Sequence, residues 1–537
     1  MAIFSEEEVL NILNTYNPWW KLGNIPEKYV APIKRVAYYE AEKMLEYEEV
    51  KRYILFSGAR RVGKTTIMYQ LIENLLQKGV NSNNILYMSL DNPILKFGTL
   101  DKIINIYMNT FAPEGQVYIF LDEIQYSQDW DKWLKVFYDQ QKNWKIVATG
   151  SASPLIEKGA NESGVGRWTT LTIPTLSFYE YYLLQEKKAQ EIEYPKELVR
   201  KLIQKELLSK EMKEIVENLS EPDKEKILEV ATKEILKNFS IIDKLKKELP
   251  KDFSIINLEN YKDKEFTKII NMLEPVKKYF NRYLITGGFP ELANVEDSYM
   301  AQKILREDIV DKVLKRDMPE LFGIRNISVL EKVFLYLCFE SSNIINYSSM
   351  AQDLDGVSLP TVQDYVKYLE SSNLIYISNP LGISGTKILN KSPKIYVADS
   401  AIRNAVLMKE DVLSNPKEMG YVVETAVYRH MLTYIKNTTG NIGFYREGKG
   451  NKNKEKEIDI VTNSVKNNIY LEVKYREKAT VKKDNPIYNM NKENDRLFII
   501  TKNIEDSGIM TLENGKKLVK IPAYAFLFLL GMEEMYQ

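Results

Sequence analysis

The chain has 537 residues, with 74 basic and 74 acidic side chains, so its formal net charge is zero. That balance excludes a globally basic nucleic-acid or membrane-surface binder; any basic site must be local. One cysteine, Cys338, and one histidine, His430, exclude intrachain disulfides, cysteine-rich zinc sites and histidine triads, which leaves carboxylates, lysines, arginines, hydroxyls and backbone amides to carry any chemistry.

This length predicts about two to four domains. Met1 to Leu10 lacks a basic segment followed by an apolar run, and Ala523 to Leu530 is too short to span a bilayer. The expectation is a cytoplasmic protein with no membrane partner.

Residues 1–50 read as an N-terminal helical segment, with an aromatic turn at Asn17, Pro18, Trp19 and Trp20. Residues 51–184 change to an α/β pattern. Strands are predicted at Tyr53 to Phe56, Asn84 to Leu90, Val117 to Leu121, Lys145 to Thr149 and Thr169 to Ile173, with a helix from Thr65 to Lys78. Continuously apolar strands alternating with helices imply a parallel sheet covered on both faces. Residues 185–275 are rich in Lys and Glu, with Leu198, Leu202, Ile203 and Leu207 at helical spacing, and read as a charged insertion of solvated helices. Residues 276–327 read as a helical lid or linker. Residues 328–392 read as a winged helix whose third helix is capped by Ser358 and opened by Pro360, followed by a wing strand from Leu374 to Ser378. Residues 393–537 form a second α/β unit, in which Gly440 to Glu457 reads as a mobile lysine-rich loop.

Gly58-Ala59-Arg60-Arg61-Val62-Gly63-Lys64-Thr65 fits the phosphate-binding pattern G-x-x-x-x-G-K-[ST] and stands between a strand and a helix, the context that gives the motif its meaning. Gly58 and Gly63 let backbone amides turn inward around phosphates, and the helix that begins here, with Thr66 in its first turn, adds its positive end. Lys64 is expected on the β- and γ-phosphates of ATP and Thr65 on Mg²⁺. Tyr118-Ile119-Phe120-Leu121-Asp122-Glu123 is an apolar strand ending in two carboxylates: Asp122 is expected to hold the magnesium and Glu123 to polarise the attacking water. The next strand ends in Thr149-Gly150-Ser151, and Ser151 is the candidate for reaching the γ-phosphate or the water, against a plain strand-end cap.

These motifs, together with Gly166-Arg167, Leu176-Ser177-Phe178 and Gly287-Gly288-Phe289-Pro290-Glu291, resemble a group of prokaryotic AAA+-like ATPases that join an ATPase domain, a winged helix and a C-terminal domain with a restriction-endonuclease-like core. The resemblance covers nearly the whole chain and departs at about 185–275, where the group has a shorter link. It implies a P-loop NTPase (AAA+-like) parallel sheet with a helical insertion, a winged helix and a restriction-endonuclease-like α/β domain. It also implies a homo-oligomer, with a ring as one form, in which Arg167 acts as a finger on a neighbour's nucleotide; a surface ion pair is the alternative role for Arg167.

In the last unit, Asp459 lies in Glu457-Ile458-Asp459-Ile460-Val461, and Glu472 and Lys474 lie in Leu471-Glu472-Val473-Lys474, on adjacent strands of an expected hairpin. The arrangement resembles the PD-(D/E)XK nuclease core, with Glu424 as the upstream acid. That resemblance implies Mg²⁺ or Mn²⁺ on Glu424, Asp459 and Glu472, with Lys474 activating water or stabilising charge. Solvated strand faces produce the same pattern. Lys449, Lys452, Lys454 and Lys456 would line an approach for DNA. Thr361, Gln363, Asp364, Lys367 and Tyr368 on the third winged-helix helix are not notably basic, so DNA contact and plain packing both stay open. His430 reads as structural.

Two functions follow. One is a magnesium-dependent ATPase that drives a DNA-binding and DNA-cleaving C-terminal region. The other is an ATP-dependent regulatory switch whose winged-helix and nuclease-like domains only bind nucleic acid or protein.

Overall fold

The computed structural model describes residues 5–536 except 48, 50, 151–165, 192–240, 382–391, 409–411, 437–439, 448–455 and 482–483. Two sheets organise it.

The first sheet belongs to the N-terminal unit. Helix α1 (Glu6–Tyr16) is closed by a capping box between Ser5 and Glu8. After the aromatic turn come α2 (Val36–Glu46), β1 (Tyr53–Ser57), α3 (Lys64–Gln77), β2 (Ile85–Ser89), α4 (Leu100–Phe111), β3 (Val117–Asp122), α5 (Trp130–Gln140), β4 (Trp144–Gly150) and β5 (Trp168–Thr172). All five strands are parallel, in the order β2-β3-β4-β1-β5. β1 is buried along its whole length, as its unbroken apolar run requires. The aromatic turn protects edge strand β2: Trp19 and Trp20 both donate their indole N–H to the carbonyl of Ile85, and Asn17 exchanges hydrogen bonds with the backbone of Tyr87.

Next come α6 (Phe178–Glu191), α7 (Ile241–Glu248), α8 (Asp263–Leu273), α9 (Lys277–Thr286) and α10 (Ser298–Ile304), then two π-helical stretches, Leu305–Asp311 and Val313–Asp317. The reading of 185–275 as solvated helices does not hold for its described C-terminal part. Ile242, Leu245, Leu258, Phe266, Ile269 and Leu273 are buried in one core with the C-terminal unit. Buried Glu533 of the last helix accepts from the Ser254 hydroxyl, the Ile255 amide and the Tyr434 hydroxyl. The lysines and glutamates of this stretch cover the outer face, and its apolar stripe supplies the burial. Leu198, Leu202, Ile203 and Leu207 lie outside the described residues.

Helices α11 (Ile327–Phe339), α12 (Tyr347–Asp353) and α13 (Leu359–Ser371) match the expected three-helix module, with the Ser358 hydroxyl accepting from the Thr361 amide and Tyr365, Leu369 and Leu374 buried. The strand that follows, β6 (Ile375–Pro380), is more than a wing. It pairs antiparallel with β7 (Lys394–Val397) and parallel, through Asn379 and Pro380, with the strand that carries Gly443 and Phe444. The expected boundary at 392/393 is thus crossed by a sheet. The remaining elements are α14 (Ser400–Leu407), α15 (Pro416–Lys436), β8 (Asn441–Glu447), β9 (Lys456–Asn463), β10 (Asn468–Lys474), β11 (Asp495–Thr501), β12 (Gly508–Thr511), β13 (Lys517–Pro522) and α16 (Ala523–Tyr536). The eight-stranded order is β12-β13-β11-β10-β9-β8-β6-β7. The expected hairpin of β9 and β10 is present. The loop expected from Gly440 to Glu457 is in part strand: 441–447 forms β8, paired antiparallel with β9. Lys449, Lys452 and Lys454 lie outside the described residues. Among the described residues no helix is long and apolar enough to cross a membrane.

Candidate nucleotide site and C-terminal acid cluster

β1 delivers the chain to Gly58, whose φ of 156° and close approach to β5 exclude a side chain: a Cβ there would stand 2.3 Å from the Ile173 carbonyl oxygen. Gly63, in the left-handed region at φ 94°, caps α3, so the first helical amide belongs to Lys64. Lys64 is buried, and its Nζ donates to the carbonyls of Gly58 and Ala59, 2.8 Å each. Burial pulls its pKa below the ordinary lysine value, against the attraction of Glu123 and Asp122.

The sheet order brings the carboxylates to this lysine. β4 lies between β1 and β3, so the tip of β4 stands between the glycine loop and Asp122. The Thr65 hydroxyl donates to Asp122 Oδ2 at 2.7 Å, the Tyr87 hydroxyl donates to the same oxygen at 3.0 Å, and the Thr149 hydroxyl donates to Oδ1. Burial, then the neighbouring Glu123, holds Asp122 above the usual carboxylate range. Glu123 has left-handed backbone, φ 52°, its amide donates to Thr149 Oγ at 3.0 Å, and Gln125 Nε2 contacts its carboxylate. A non-glycine residue held in that conformation at a strand end is the kind of strain that clusters at functional sites.

The polar residue joining the two carboxylates on β4 is therefore Thr149. Ser151 lies outside the described residues. Arg167 stands at the opposite end of the sheet from the glycine loop: Trp168 pairs with Tyr53, whereas Thr172 pairs with Ser57. A strand's length, roughly 16 Å at 3.3 Å per residue, separates it from its own phosphate end. Arg167 is engaged by Asp139, Nε to Oδ1 3.2 Å.

Sequence reading missed Arg35. Its guanidinium is buried and donates to the carbonyls of Val62 (2.8 Å) and Thr175 (3.2 Å) and to both oxygens of Glu180 (3.2 and 3.0 Å). Glu180 accepts also from the Ser177 and Val36 amides. Burial opposes its charge, but Arg35 and the Ser177 amide outweigh burial and hold it below the ordinary glutamate range. A helix from the N-terminal segment thereby fixes the glycine loop from behind. The residues are 145 positions apart, so no local pattern announces the pair.

The two arginines inside the loop face the lid. Arg60 makes a two-pronged contact with Asp317, Nη2 to Oδ1 2.7 Å, and Arg61 reaches Glu291 at 2.6 Å and Asp308 at 3.1 Å. Asp308 and Asp317 belong to the π-helical stretches, a geometry frequent at functional sites.

In the second sheet, Glu424 on α15, Asp459 on β9 and Glu472 with Lys474 on β10 converge as expected. A residue the sequence did not single out stands among them. Lys394, the first residue of β7 and 3% exposed, places Nζ 3.1 Å from Glu424 Oε1, 2.5 Å from Glu457 Oε1 and 3.5 Å from Asp459 Oδ1. The Tyr396 hydroxyl donates to Glu424 Oε1 at 2.9 Å, and Asp459 Oδ2 accepts from the Val473 amide at 2.8 Å. Glu472 Oε1 is taken by Lys474 and by Asn485 Nδ2, while its Oε2 is buried with no hydrogen-bond partner. Burial, then the nearby acids, pushes Glu472 up to about 8; Glu424 is pushed up to about 7, with Lys394 pulling against burial. Among the described residues no three carboxylates, histidines or cysteines are arranged to hold a metal ion. The arrangement does not fit the expected divalent-metal centre, because an ammonium group already occupies the point on which Glu424, Glu457 and Asp459 converge.

On α13, Gln363, Asp364 and Lys367 are exposed, but Tyr368 is stacked on Phe322 at 4.1 Å and 8°. His430 is fully buried and structural: Nε2 accepts from the Phe178 amide at 2.8 Å and Nδ1 pairs with the Ala426 carbonyl at 2.7 Å, the pattern of a neutral ring, and burial keeps its pKa well below the ordinary value.

A parallel sheet whose first strand ends in a glycine loop with a buried lysine, facing paired carboxylates one strand removed, defines a P-loop NTPase fold. Residues 50–182 match the family model described as AAA domain, in keeping with the P-loop NTPase fold of this unit. Residues 277–412 and 419–524 match two families described only as domains of unknown function, DUF8612 and DUF4143. Among curated proteins, the chain is 23% identical over 478 residues to the uncharacterized protein MJ1544 of Methanocaldococcus jannaschii, covering 86% of this chain and 85% of that one. It is 20% identical over 378 residues to an uncharacterized protein of Haemophilus influenzae, covering 69% and 72%. Solved structures aligned to it include the Aeropyrum pernix ORC1 protein in complex with DNA (12% identity, 74% of this chain and 97% of that one, TM-score 0.30) and AMPPCP-bound DnaA from Aquifex aeolicus (18%, 57% and 96%, TM-score 0.22).

Proposed function

We propose that the chain is a magnesium-dependent ATPase that works as a conformational switch, and that its C-terminal unit binds a partner without cleaving it. The observation that carries the first half is the joint placement of Lys64, Thr65, Asp122, Glu123 and Thr149 around the glycine loop. The Thr65 hydroxyl and the Asp122 carboxylate, 2.7 Å apart, suit Mg²⁺, which prefers oxygen ligands and keeps several waters. When bound, the ion would neutralise charge on the β- and γ-phosphates. The amides of residues 58–65 and the start of α3 hold phosphate oxygens. Lys64 exchanges the Gly58 and Ala59 carbonyls for phosphate oxygens. Glu123, kept in place by the Thr149 hydroxyl and Gln125, orients the attacking water and takes part of its proton charge. Arg60 and Arg61 link the same loop to Glu291, Asp308 and Asp317, so a change in loop conformation is felt by the lid segment 290–317.

The second half rests on Lys394. An acid cluster with an ammonium already among its carboxylates leaves less room and less need for a divalent ion, which favours a binding module over a nuclease. DNA is one candidate partner, and exposed Gln363, Asp364 and Lys367 offer it a surface with no net positive charge. The test is phosphate release by the full chain with ATP and Mg²⁺, with and without DNA. Turnover that needs Mg²⁺ and disappears in Glu123→Gln supports the ATPase, and stimulation by DNA would identify the partner class. No turnover in the wild-type chain would overturn the reading. A homo-oligomer in which Arg167 leaves Asp139 for a neighbour's nucleotide is tested by gel filtration with ATP; a monomer throughout removes that role.

A further inference from the structure

Behind the nucleotide site, where the N-terminal segment, the end of β5 and helices α6, α15 and α16 meet, lies a cavity of about 230 Å³. Its charged lining comprises Arg35, Glu40, Glu180, Arg429, Lys436 and Glu534. Most of these are satisfied within the protein. Arg35 and Glu180 saturate one another and the neighbouring backbone. Arg429 is different. It is 3% exposed, its Nε is enclosed with no hydrogen-bond partner, and among the described residues it makes no ion pair. Glu180 and Asp399 are near enough to favour its charge, but neither pairs with it directly, so the buried Nε is left for something else to complete. Glu534, on the same cavity, also has an enclosed oxygen, Oε1, with no partner, and burial pushes its carboxyl up to about 8, with Arg429 pulling against burial. A guanidinium and a carboxyl, each with a buried atom that has no partner and both lining one cavity, leave room for a small acceptor held by the guanidinium.

We propose that this cavity binds a small oxyanion, of the phosphate or carboxylate type, held by Arg429. The anion accepts from the Arg429 guanidinium, the pairing that guanidinium geometry favours. Its volume admits a free ion and no polymer backbone. The site is mechanically continuous with the glycine loop. Thr172, which also lines the cavity, pairs with Ser57 immediately before Gly58, and Arg35 donates from the cavity wall to the Val62 carbonyl inside the loop. An anion in the cavity therefore bears on the elements that position the nucleotide, and on the seam between the ATPase unit and the C-terminal helices.

Calorimetric titration of inorganic phosphate, sulfate and acetate into the full chain tests this. The Lys64→Ala variant removes the phosphate site of the glycine loop, so binding that persists there belongs elsewhere. The expected result is saturable binding of phosphate or acetate to Lys64→Ala, weakened at least about tenfold when Arg429→Met is added. Preference for phosphate identifies a tetrahedral ligand and preference for acetate a planar one. Arg429→Met also removes a cation that Glu180 and Asp399 favour, so its melting temperature is measured beside that of the parent in anion-free buffer. Should it fail to fold, Arg429→Lys, which keeps the charge but loses the planar fork, is expected to weaken the same binding about threefold or more. No saturable binding of any of the three ions, or unchanged affinity in the Arg429 variants, would overturn the proposal.

Discussion

The chain holds two sites made of the same parts, a buried lysine and strand-end carboxylates, and they differ in what satisfies the acids. At the N-terminal site Lys64 spends its donors on backbone carbonyls, and Asp122 is satisfied by the hydroxyls of Thr65, Tyr87 and Thr149. Neutral donors of that kind give way to a divalent ion at modest cost. At the C-terminal site Lys394 sits inside the acids, within 3.5 Å of three of them. Displacing an ammonium from buried carboxylates means separating charges in a medium of low polarity, and removing one partner of such a set typically costs about 3–5 kcal/mol. Where the lysine points, and not how many acids are present, separates a site open to ligands from one that is closed.

The largest effect that sharpens this contrast is on ATP turnover. Lys64→Ala is expected to lower the rate of phosphate release by about 10²–10³-fold, the usual loss when one preorganised charge-stabilising donor is removed. Lys394→Met is expected to leave turnover within about twofold and instead to reduce resistance to urea. Equal losses of turnover in both would erase the distinction. Arg35→Met comes next: it strips buried Glu180 of its ion-pair partner and frees the Val62 carbonyl, so a stability loss of about 3–5 kcal/mol together with weaker ATP binding is expected from denaturation and nucleotide titration. A change in stability without a change in nucleotide affinity would detach Arg35 from the glycine loop.

The third effect is a pH dependence. Burial pushes Glu472 up to about 8, above the value it has in the unfolded chain. The folded state therefore holds this proton where the unfolded state has lost it, and stability declines as pH rises from about 4.5 through about 8. Glu472→Gln should remove that part of the decline, worth on the order of 4–5 kcal/mol at pH 8.5. A decline of the same slope in the variant would assign it to other groups. The smallest effect is at the lid. Asp317→Asn loosens Arg60 and should change the KM for ATP by about threefold while leaving the melting temperature nearly unchanged, in keeping with a half-buried ion pair.

The nucleotide site was legible because its chemistry is local. The glycine loop, Lys64 and Thr65 are consecutive, and Asp122 and Glu123 end one apolar strand. Thr149 was within sight, in Thr149-Gly150-Ser151, but was given no role; Ser151 lies outside the described residues. The C-terminal acids were legible one by one, and their convergence followed from the hairpin of β9 and β10. Lys394 was not legible. It opens an ordinary apolar strand, and only the pairing of β6 with β7 and with β8 carries it into the cluster. The same holds for Arg35 and for the burial of 241–273, where a charged composition concealed an apolar stripe. Long-range pairings decide all three, and periodicity carries no information about them.

The most direct test of the account is a titration of Mn²⁺, followed by electron paramagnetic resonance, into the Lys64→Ala protein without nucleotide, beside the same protein with Asp459→Ala. No tightly bound Mn²⁺ attributable to Asp459 is expected, because Lys394 already sits among the acids. One bound Mn²⁺ that vanishes with Asp459→Ala would contradict it, make the C-terminal acids a metal centre, and return the nuclease reading to first place.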